Sequence, residues 1–292
     1  MTTWSRLVRF TPVGSSSPLI GEPIDSKVDV GLATFGGTPV KVNVYSGTSI
    51  LDAGKPTGKQ ETVGELLSVL AEHEIGGGSI RCIGLNYVKH AAEANLELPP
   101  VPILFLKPST SLTGPFPAKI VVPKFTIPSE SADYESELGV IIGKDCKNVT
   151  EADAMEYVLG YTATNDVSSR KTQFEQSQWS FSKGFDTACP IGPCVASTNL
   201  ITDPSKLHMR GLKNGKVMQE SGLDDLIFGI PKLVSFLSQG TTLRAGTLIL
   251  TGTPHGIGIF YKPPEILRDG DDFHVEILPH IGTLVNKVEY EK

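Results

Sequence analysis

The first 75 residues contain short runs of apolar and polar positions that are typical of β-strands. Residues 7–10 are predicted to form a strand, and residues 40–45 alternate with a period of two, as expected where one strand face is buried. Residues 62–70 instead predict a helix, because Thr62 and Glu65 have the spacing of a capping box and the leucines that follow recur at helical intervals. No cluster of side chains in this segment suggests chemistry.

A glycine-rich run separates this segment from the rest of the chain. Residues 76–79 read Gly-Gly-Gly-Ser, a composition typical of a flexible linker. The sequence therefore predicts a small N-terminal domain over residues 1–75 and a larger domain over residues 76–292.

The larger domain is predicted to contain many short strands and few helices. Its apolar runs and turn residues predict strands at 80–84, 119–122, 137–142, 247–251, 272–278 and 283–290, and helices at about 86–95, 151–159 and 231–239. The second of these helices is expected to begin with a capping box at Thr150 and Asp153. Because strands and helices do not alternate regularly, the predicted fold class is α+β and strand-rich, with a mixed or largely antiparallel sheet.

The overall composition restricts the classes of partner. The 292 residues are 39% hydrophobic and carry a net charge of −6, so we expect a buried core and no nucleic-acid partner. No uncharged apolar run approaches the roughly 20 residues of a spanning helix, so no membrane partner is expected. The 30 glycines and 21 prolines predict many turns, which favours short strands over long helices.

The cysteines and the first residues bear on the compartment. Cys82, Cys146, Cys189 and Cys194 include no C-x-x-C spacing, which predicts reduced, buried thiols in an intracellular protein. Residues 1–21 contain two arginines, several hydroxyl residues and no acid, a mild resemblance to a mitochondrial transit peptide. The expected localisation is cytoplasmic, with a mitochondrial localisation as the alternative.

Three carboxylates are candidates for a metal site. Glu135 and Glu137 begin an apolar run and, being two residues apart, are expected on one strand face, where like charges repel unless a cation lies between them. Asp166 ends another strand-like run, over residues 160–166. Together they offer only oxygen ligands, which suit Mg²⁺, Mn²⁺ or Ca²⁺ better than Zn²⁺. A solvated strand face and an ordinary turn acid are the alternative.

Other polar residues suggest catalysis or anion binding. His90 and Glu93 are three apart on a predicted helix, so the carboxylate can orient the imidazole and raise its basicity, as a general base acting on water requires. Lys183 precedes a glycine near aromatic residues and is suited to anchor an anionic substrate. The glycine-rich loop after residue 251 presents N–H groups and Thr253 to a cavity wall, which suits a carboxylate. A surface ion pair, a surface lysine and a simple turn are the alternatives.

A series of short motifs runs through the larger predicted domain. They are Gly84 to Tyr87 with His90 and Glu93, Lys107 to Ser109, Tyr134-Glu135-x-Glu137-Leu138, Gly160-Tyr161 with Asn165 to Ser168, Lys183 to Asp186, Leu212 to Gly215, Thr251 to Pro254, and Ile281 to Leu284. In this order and spacing the stretch from about 80 to 290 resembles the fumarylacetoacetate hydrolase family. The preceding segment is similar to the small N-terminal domain of the family's longer members.

The resemblance implies a mixed β-roll fold, a homodimer and a bound divalent cation. The cation is Mg²⁺ or Mn²⁺, with Ca²⁺ also expected in crystals, and its implied ligands are Glu135, Glu137 and Asp166. The implied catalytic residues are His90, Glu93 and Lys183, and the implied substrate contacts are Arg170, Gln173 and Thr253. One position departs from the family pattern, because Lys171 follows Arg170 where many relatives have an aspartate. The added positive charge bears on the choice of substrate and not on the metal site.

The function implied by the resemblance is that of a divalent-metal-dependent enzyme acting on small 2-oxo or 2,4-dioxo carboxylic acids. We expect acylpyruvate-type hydrolysis of a C–C bond through a metal-bound enolate, with the His90–Glu93 dyad deprotonating water and Lys183 stabilising the enolate. Oxaloacetate decarboxylation or keto–enol tautomerisation at the same site is the alternative, because these reactions share the enolate. A non-catalytic metal-binding homologue is a more remote alternative, and the complete set of three catalytic residues argues against it.

Overall fold

The computed structural model describes residues 3–292, which form many strands and few helices. The strands, numbered in chain order, are β1 Arg6–Pro12, β2 Leu19–Pro23, β3 Lys41–Tyr45, β4 Pro56–Leu66, β5 Ser79–Gly84, β6 Ile103–Pro108, β7 Leu112–Thr113, β8 Lys119–Val122, β9 Ala132–Asp133, β10 Ser136–Ile142, β11 Val158–Asn165, β12 Ser168–Ser169, β13 Cys189–Ser197, β14 His208–Lys213, β15 Lys216–Gly222, β16 Leu248–Leu250, β17 Asp272–Leu278 and β18 Gly282–Tyr290. The helices are α1 Val30–Phe35, α2 Val88–Glu93, α3 Arg170–Phe174, α4 Ser180–Lys183 and α5 Ile230–Ser238. None of the helices between residues 3 and 292 has the length and apolar character needed to cross a membrane.

Most strands belong to two sheets. The larger sheet has the order β2-β3-β4-β1-β13-β11-β10-β16-β5-β6, with β7 beside β13, and the smaller has the order β15-β14-β17-β18-β8. Most neighbours are antiparallel, but β16 runs parallel to β5 and β18 parallel to β8. This mixed, strand-rich arrangement confirms the predicted α+β class.

The centre of the larger sheet is buried on both faces. Every residue of β10 and of β13 is buried, and β11 is buried except for one partly covered position. Continuous apolar runs are expected in such strands, because neither face contacts water. The two sheets also contact each other through aromatic rings, since Tyr134, just before β10, stacks on Phe273 of β17 with ring centroids 4.4 Å apart. The ends of the central strands therefore lie in the packed interior of the protein.

The predicted helix at 62–70 is wrong. Residues 56–66 form β4, in which Thr62 pairs with Lys41 of β3 while Glu65 pairs with Thr11 of β1. The capping-box spacing is a local signal, whereas the strand is hydrogen-bonded on both sides, and these long-range bonds outweigh the weak local preference.

The predicted helix at 151–159 is also wrong. A short 3₁₀ turn covers Ala154–Tyr157, and β11 begins at the next residue. The expected capping contact is present, because Asp153 N donates to Thr150 Oγ1 at 3.3 Å. The helix does not continue because the residues from Val158 onward pair with β10 and β13. The other predicted elements are present, although α2 is shorter than the predicted 86–95.

The first strand joins the N-terminal segment to the rest of the chain. β1 pairs with β13, and the Arg6 guanidinium donates to the carbonyl oxygens of Asp25, Val28 and His280 at 2.9–3.3 Å. The glycine run 76–78 is a 3₁₀ turn, and a Cβ on its first glycine would lie 2.7 Å from Thr247 N. The domain division at 75/76 stays a prediction.

The four cysteines are buried and free, in agreement with the expectation of reduced thiols. Burial raises the pKa of each thiol, and that of Cys189 reaches about 12. Because the thiolate is the reactive form of cysteine, these side chains act as small apolar core residues.

Substituting Arg6 tests the link between the N-terminal segment and the C-terminal part of the chain. Arg6→Ala removes a hydrogen bond from each of three carbonyl oxygens, so we expect the free energy of unfolding to fall by about 1–3 kcal/mol. Urea denaturation followed by circular dichroism measures this change. The matched control is Lys27→Ala, whose exposed side chain lies on the same segment and whose removal should change stability by less than about 0.5 kcal/mol. Equal stability of the two variants would contradict the structural role of Arg6.

Candidate active site

Three carboxylates meet where two central strands end. Glu135 and Glu137 lie at the start of β10, and Asp166 follows the last residue of β11. Because Ser136 pairs with Asn165 in the antiparallel register, these ends are adjacent. One oxygen from each carboxylate lies within 4.8 Å of the others, and all three residues are buried. The structure therefore brings together the three predicted metal ligands.

Backbone and amide groups hold these carboxylates in place. Glu135 N donates to Asn165 Oδ1 at 3.0 Å, and Asp166 N donates to the Glu135 carbonyl oxygen at 2.9 Å. Glu137 Oε2 accepts from Gly252 N at 2.6 Å. Gly252 has φ +97°, a conformation that favours glycine, and a Cβ there would lie 2.7 Å from the Asn86 Cβ. This glycine thus allows the loop after β16 to reach the cluster.

Two buried lysines contact the carboxylates. Lys183 Nζ donates to Glu135 Oε2 at 2.8 Å, to Asp166 Oδ2 at 2.7 Å and to Ser168 Oγ at 2.7 Å. These three bonds use all three of its N–H donors. Lys107 Nζ donates to Asp166 Oδ1 at 2.5 Å and to the Ala188 carbonyl oxygen at 2.7 Å. Both oxygens of Asp166 therefore accept from an ammonium group.

Burial and neighbouring charges move the pKa values of the cluster in opposite directions. Burial raises the pKa of Glu135, but the charges of Lys183 and Arg170 outweigh it and bring the pKa to about 2. Burial raises the pKa of Glu137 well above its usual range, and the charges of Asp166 and Glu135 raise it further. Burial lowers the pKa of Lys183, but the same two carboxylates outweigh it and raise the pKa. Glu137 is thus the carboxylate whose charge the protein compensates least.

The donor set and the charges fit a divalent cation. Among the described residues, Glu137 makes no ion pair and its neighbours raise its pKa, so the cluster has one poorly compensated carboxylate. Counting Asp133 beside the cluster, four buried carboxylates outnumber three buried cations at the site. The carboxylates are Asp133, Glu135, Glu137 and Asp166, and the cations are Lys107, Arg170 and Lys183. A cation between three carboxylate oxygens compensates this excess, and an all-oxygen set suits Mg²⁺ or Mn²⁺.

The predicted His–Glu dyad is formed and is fixed to a loop. His90 Nδ1 lies 3.1 Å from Glu93 Oε2, one turn along α2. The other oxygen of Glu93 accepts from Gly256 N at 2.9 Å, which attaches α2 to the glycine-rich loop. If Nδ1 donates to Glu93, Nε2 carries the free lone pair, as a general base requires.

Arg170 is buried and has one unused donor. Its Nε donates to Asp133 Oδ2 at 2.8 Å, and its Nη1 donates to Glu135 Oε1 at 2.7 Å and to Gln173 Oε1 at 3.0 Å. Its Nη2 is buried and has no protein partner. Because a buried donor without a partner is costly, this atom is suited to an anionic ligand.

Sequence reasoning missed the role of Asp133. This fully buried carboxylate accepts from the N–H groups of Gly258 and Ile259 at 2.8 and 3.1 Å, in addition to Arg170. It therefore ties Arg170 to the loop that follows Thr253. Its position two residues before Glu135 was the available signal, but its partners other than the next residue are more than 30 residues away. The contact of Lys107 with Asp166 was also missed. A lysine in the apolar run 103–108 was the available signal, because it indicates a buried charge that needs a partner.

A cavity of about 550 Å³ opens beside the cluster, and its wall contains six of the predicted site residues. These are His90, Glu135, Arg170, Gln173, Lys183 and Thr253. The Thr253 hydroxyl donates to the Ser136 carbonyl oxygen at 3.0 Å and accepts from Gln219 Nε2 at 2.8 Å, so its proton is already used. Lys171, the position that departs from the family pattern, is exposed and outside the cavity wall.

The sequence of this chain is similar to the sequences of proteins that carry enzyme names. The chain is 46% identical over 295 residues to a caffeoylpyruvate hydrolase of Neonothopanus nambi, in an alignment that covers 100% of this chain and 95% of that protein. It is 35% identical over 305 residues to a mitochondrial oxaloacetate tautomerase of Xenopus laevis, covering 97% and 90% of the two chains. These relatives carry the names of enzymes, and this chain is likewise an enzyme.

Solved structures and a family model agree with these sequence relatives. The crystal structure of a 2-hydroxyhepta-2,4-diene-1,7-dioate isomerase from Mycobacterium marinum superposes with a TM-score of 0.77 at 30% identity, covering 98% of this chain and 99% of that one. The fumarylacetoacetate (FAA) hydrolase C-terminal model matches residues 79–289. The chain therefore belongs to the fumarylacetoacetate hydrolase family.

Proposed function

We propose that this protein is a divalent-metal-dependent enzyme that hydrolyses a C–C bond of acylpyruvates, which are 2,4-dioxo carboxylic acids. The observation that carries the proposal is the meeting, around one cavity, of a three-carboxylate cluster, a buried lysine and a His–Glu dyad. Each group matches one need of this reaction: a cation site, stabilisation of negative charge and a base for water. The caffeoylpyruvate hydrolase named among the relatives supports the same reaction class.

Glu135, Glu137 and Asp166 would hold the cation, Mg²⁺ or Mn²⁺. When bound, it supplies positive charge that stabilises a developing enolate oxygen and helps to orient the 2-oxo acid. Lys183 and Arg170 each contact Glu135, so they restrain this ligand in one orientation. Supporting contacts of this kind normally increase the affinity of a metal site.

Arg170 and Gln173 would bind the carboxylate of the substrate. The unused Nη2 of Arg170 is the donor best placed for this role, because its other nitrogens already contact protein acceptors. Thr253 lines the same cavity and accepts from Gln219, so its contact with substrate would be made as an acceptor or by van der Waals packing.

Lys183 would stabilise the enolate by its charge. Its ammonium group lies in the cavity wall and is held by two carboxylates, which keep it protonated. Since all three of its protons already have acceptors, a substrate oxygen must replace one of them to accept a direct hydrogen bond. A preorganised buried charge of this kind stabilises a transition state without reorienting during the reaction.

The His90–Glu93 dyad would activate water. His90 Nε2 takes a proton from water, Glu93 stabilises the resulting imidazolium, and the water oxygen forms a bond to the C4 carbonyl carbon of the substrate. The C3–C4 bond then breaks, releasing the acyl group as a carboxylic acid and pyruvate as its enolate. A proton returned to C3 gives pyruvate, so water and substrate account for all atoms of the products.

Keto–enol tautomerisation or decarboxylation of oxaloacetate is the second candidate. The named oxaloacetate tautomerase of Xenopus laevis favours tautomerisation, which needs only proton transfer to and from C3. Tautomerisation forms an enolate by removal of a proton from C3, whereas decarboxylation forms one by loss of CO₂. The charge of Lys183 would stabilise the enolate in either reaction. A non-catalytic role is less favoured, because metal binding alone requires neither the dyad nor Lys183.

We further infer a homodimer and a cytoplasmic or mitochondrial location. Strand β6 is an edge of the larger sheet and exposes Ile103, Leu104 and Leu106, which is consistent with a subunit contact. The mitochondrial relative from Xenopus laevis supports the second location.

Replacing Glu137 tests the proposed metal site. Glu137→Gln keeps the shape of the side chain but removes its charge, so Mn²⁺ affinity should fall by more than the roughly 10- to 100-fold typical of supporting residues. Isothermal titration calorimetry measures this affinity, and EDTA should abolish the activity of the unmodified enzyme until Mg²⁺ is restored. The matched control is Glu61→Gln, on the exposed part of β4. Unchanged Mn²⁺ affinity in the Glu137 variant would exclude the proposed ligand set.

Replacing His90 tests water activation. His90→Ala should lower kcat for acetylpyruvate hydrolysis by roughly 10²–10⁴-fold, because no other base then deprotonates water. Hydrolysis is followed by loss of the diketo absorbance, with His73→Ala, an exposed histidine outside the cavity, as the control. Tautomerisation of oxaloacetate is measured in parallel. An unaffected hydrolysis rate would leave the hydrolase without the mechanism proposed above, whereas tautomerisation without any acetylpyruvate cleavage in the unmodified enzyme would favour the second candidate.

A further inference from the structure

The two cationic side chains of the cavity wall lie side by side. Arg170 Nη1 and Lys183 Nζ contact the two oxygens of the same carboxylate, Glu135, at 2.7 and 2.8 Å. Among the described residues of the cavity wall there is no other lysine or arginine. A substrate therefore finds paired positive charge at this one place in the cavity wall, called the charged end below, where the proposed 2-oxo acid head is bound.

An aromatic wall extends from this charged end. Lys183 Nζ lies 5.0 Å from the centre of the Phe105 ring, and the Trp179 ring meets Phe105 edge to face with centroids 5.6 Å apart. Trp179 lies against Gly84, where an added Cβ would be 2.3 Å from the indole ring. The close approach and the buried Phe105 hold the indole in a defined position, so the wall is preorganised.

The exposed rim of the cavity, at residues 96–97 and 260, is apolar and carries one negative charge. Leu96 and Phe260 line the cavity and are 56% and 41% exposed, so both present apolar surface that a ligand can cover. Glu97, beside Leu96, also lines the cavity. This rim offers apolar surface for a ligand to cover and disfavours a second carboxylate, which would approach Glu97 without a cationic partner.

We propose that the substrate is a monocarboxylic acylpyruvate whose acyl group ends in an aromatic ring, and that Trp179 and Phe105 recognise this ring while Glu97 disfavours substrates with a distal carboxylate. This inference rests on the proposed acylpyruvate function and adds the substrate class. Aromatic rings pack favourably edge to face or offset against other rings, and the cavity volume of about 550 Å³ lies in the range of sites that enclose a whole small-molecule ligand.

A binding series tests recognition of the acyl group, called the tail of the substrate, without requiring catalysis. Three 2-oxo acids that lack the 4-oxo group, and so cannot be cleaved, are titrated calorimetrically into the full chain with Mg²⁺: 2-oxobutanoate, 2-oxoglutarate and 2-oxo-4-phenylbutanoate. We expect the phenyl compound to bind about tenfold or more tightly than 2-oxobutanoate, as for added apolar groups in a hydrophobic pocket. We expect 2-oxoglutarate to bind most weakly. Equal or tighter binding of 2-oxoglutarate relative to the phenyl compound would overturn the inference.

Hydrolysis of matched substrates separates this inference from the proposed function. Acetylpyruvate, fumarylpyruvate and benzoylpyruvate share the cleavable core and differ in their tails, and benzoylpyruvate should have the highest kcat/KM. If the binding order holds but none of the three is cleaved, the hydrolase function fails while the aromatic tail site stands. If all three are cleaved and fumarylpyruvate is preferred, the function stands and the tail inference fails.

Two variants assign the selectivity to named residues. Trp179→Ala should lower the affinity ratio of the phenyl compound to 2-oxobutanoate by about tenfold. Glu97→Lys, at an exposed position that tolerates substitution, should reverse the order of 2-oxobutanoate and 2-oxoglutarate by supplying the missing cation. The matched control is Phe181→Ala, an exposed aromatic residue two positions from Trp179 and outside the cavity wall. Unchanged ratios in both test variants would overturn the assignment.

Discussion

Charge compensation among the buried carboxylates is the constraint on which the centre of this protein depends. Each buried carboxylate at the ends of β10 and β11 is costly unless a cation compensates it, and among the described residues no lysine or arginine forms an ion pair with Glu137. Lys107 and Lys183 can be buried because the carboxylate of Asp166 compensates their charges. A divalent cation beside Glu137 would complete this balance, so the proposed metal site depends on the positions of the lysines and on the pairing of the two strands.

The same network joins parts of the chain that are distant in sequence. Asp133 connects Arg170 with the N–H groups of the loop at 258–259, and Glu93 connects α2 with Gly256 of that loop. The proposed base and the proposed carboxylate-binding residue are therefore both attached to the glycine-rich loop. A change in the conformation of this loop is expected to move both His90 and Arg170, so the loop sets their alignment with a substrate.

Local sequence signals identified what depends on short spacing. The two-residue period placed Glu135 and Glu137 on one strand face, and the three-residue spacing brought His90 onto Glu93. The same kind of signal predicted a helix at 62–70, where hydrogen bonds to two other strands decide the structure. The role of Asp133 was missed because all its partners except the next residue lie far along the chain. Local patterns could therefore predict candidate residues and half of the strands, but not contacts that arise from strand order.

The cavity separates the shared chemistry from the choice of substrate. Its charged end is fixed by ion pairs among Glu135, Arg170 and Lys183, in which a substitution leaves a partner buried and unpaired. The apolar part of its wall, which includes Trp179 and Leu96, has no such constraint, because replacing one apolar side chain there leaves no charge uncompensated. A change of side chain in this part of the wall can therefore alter the proposed tail preference without disturbing the charge cluster, and the names of similar proteins do include different substrates.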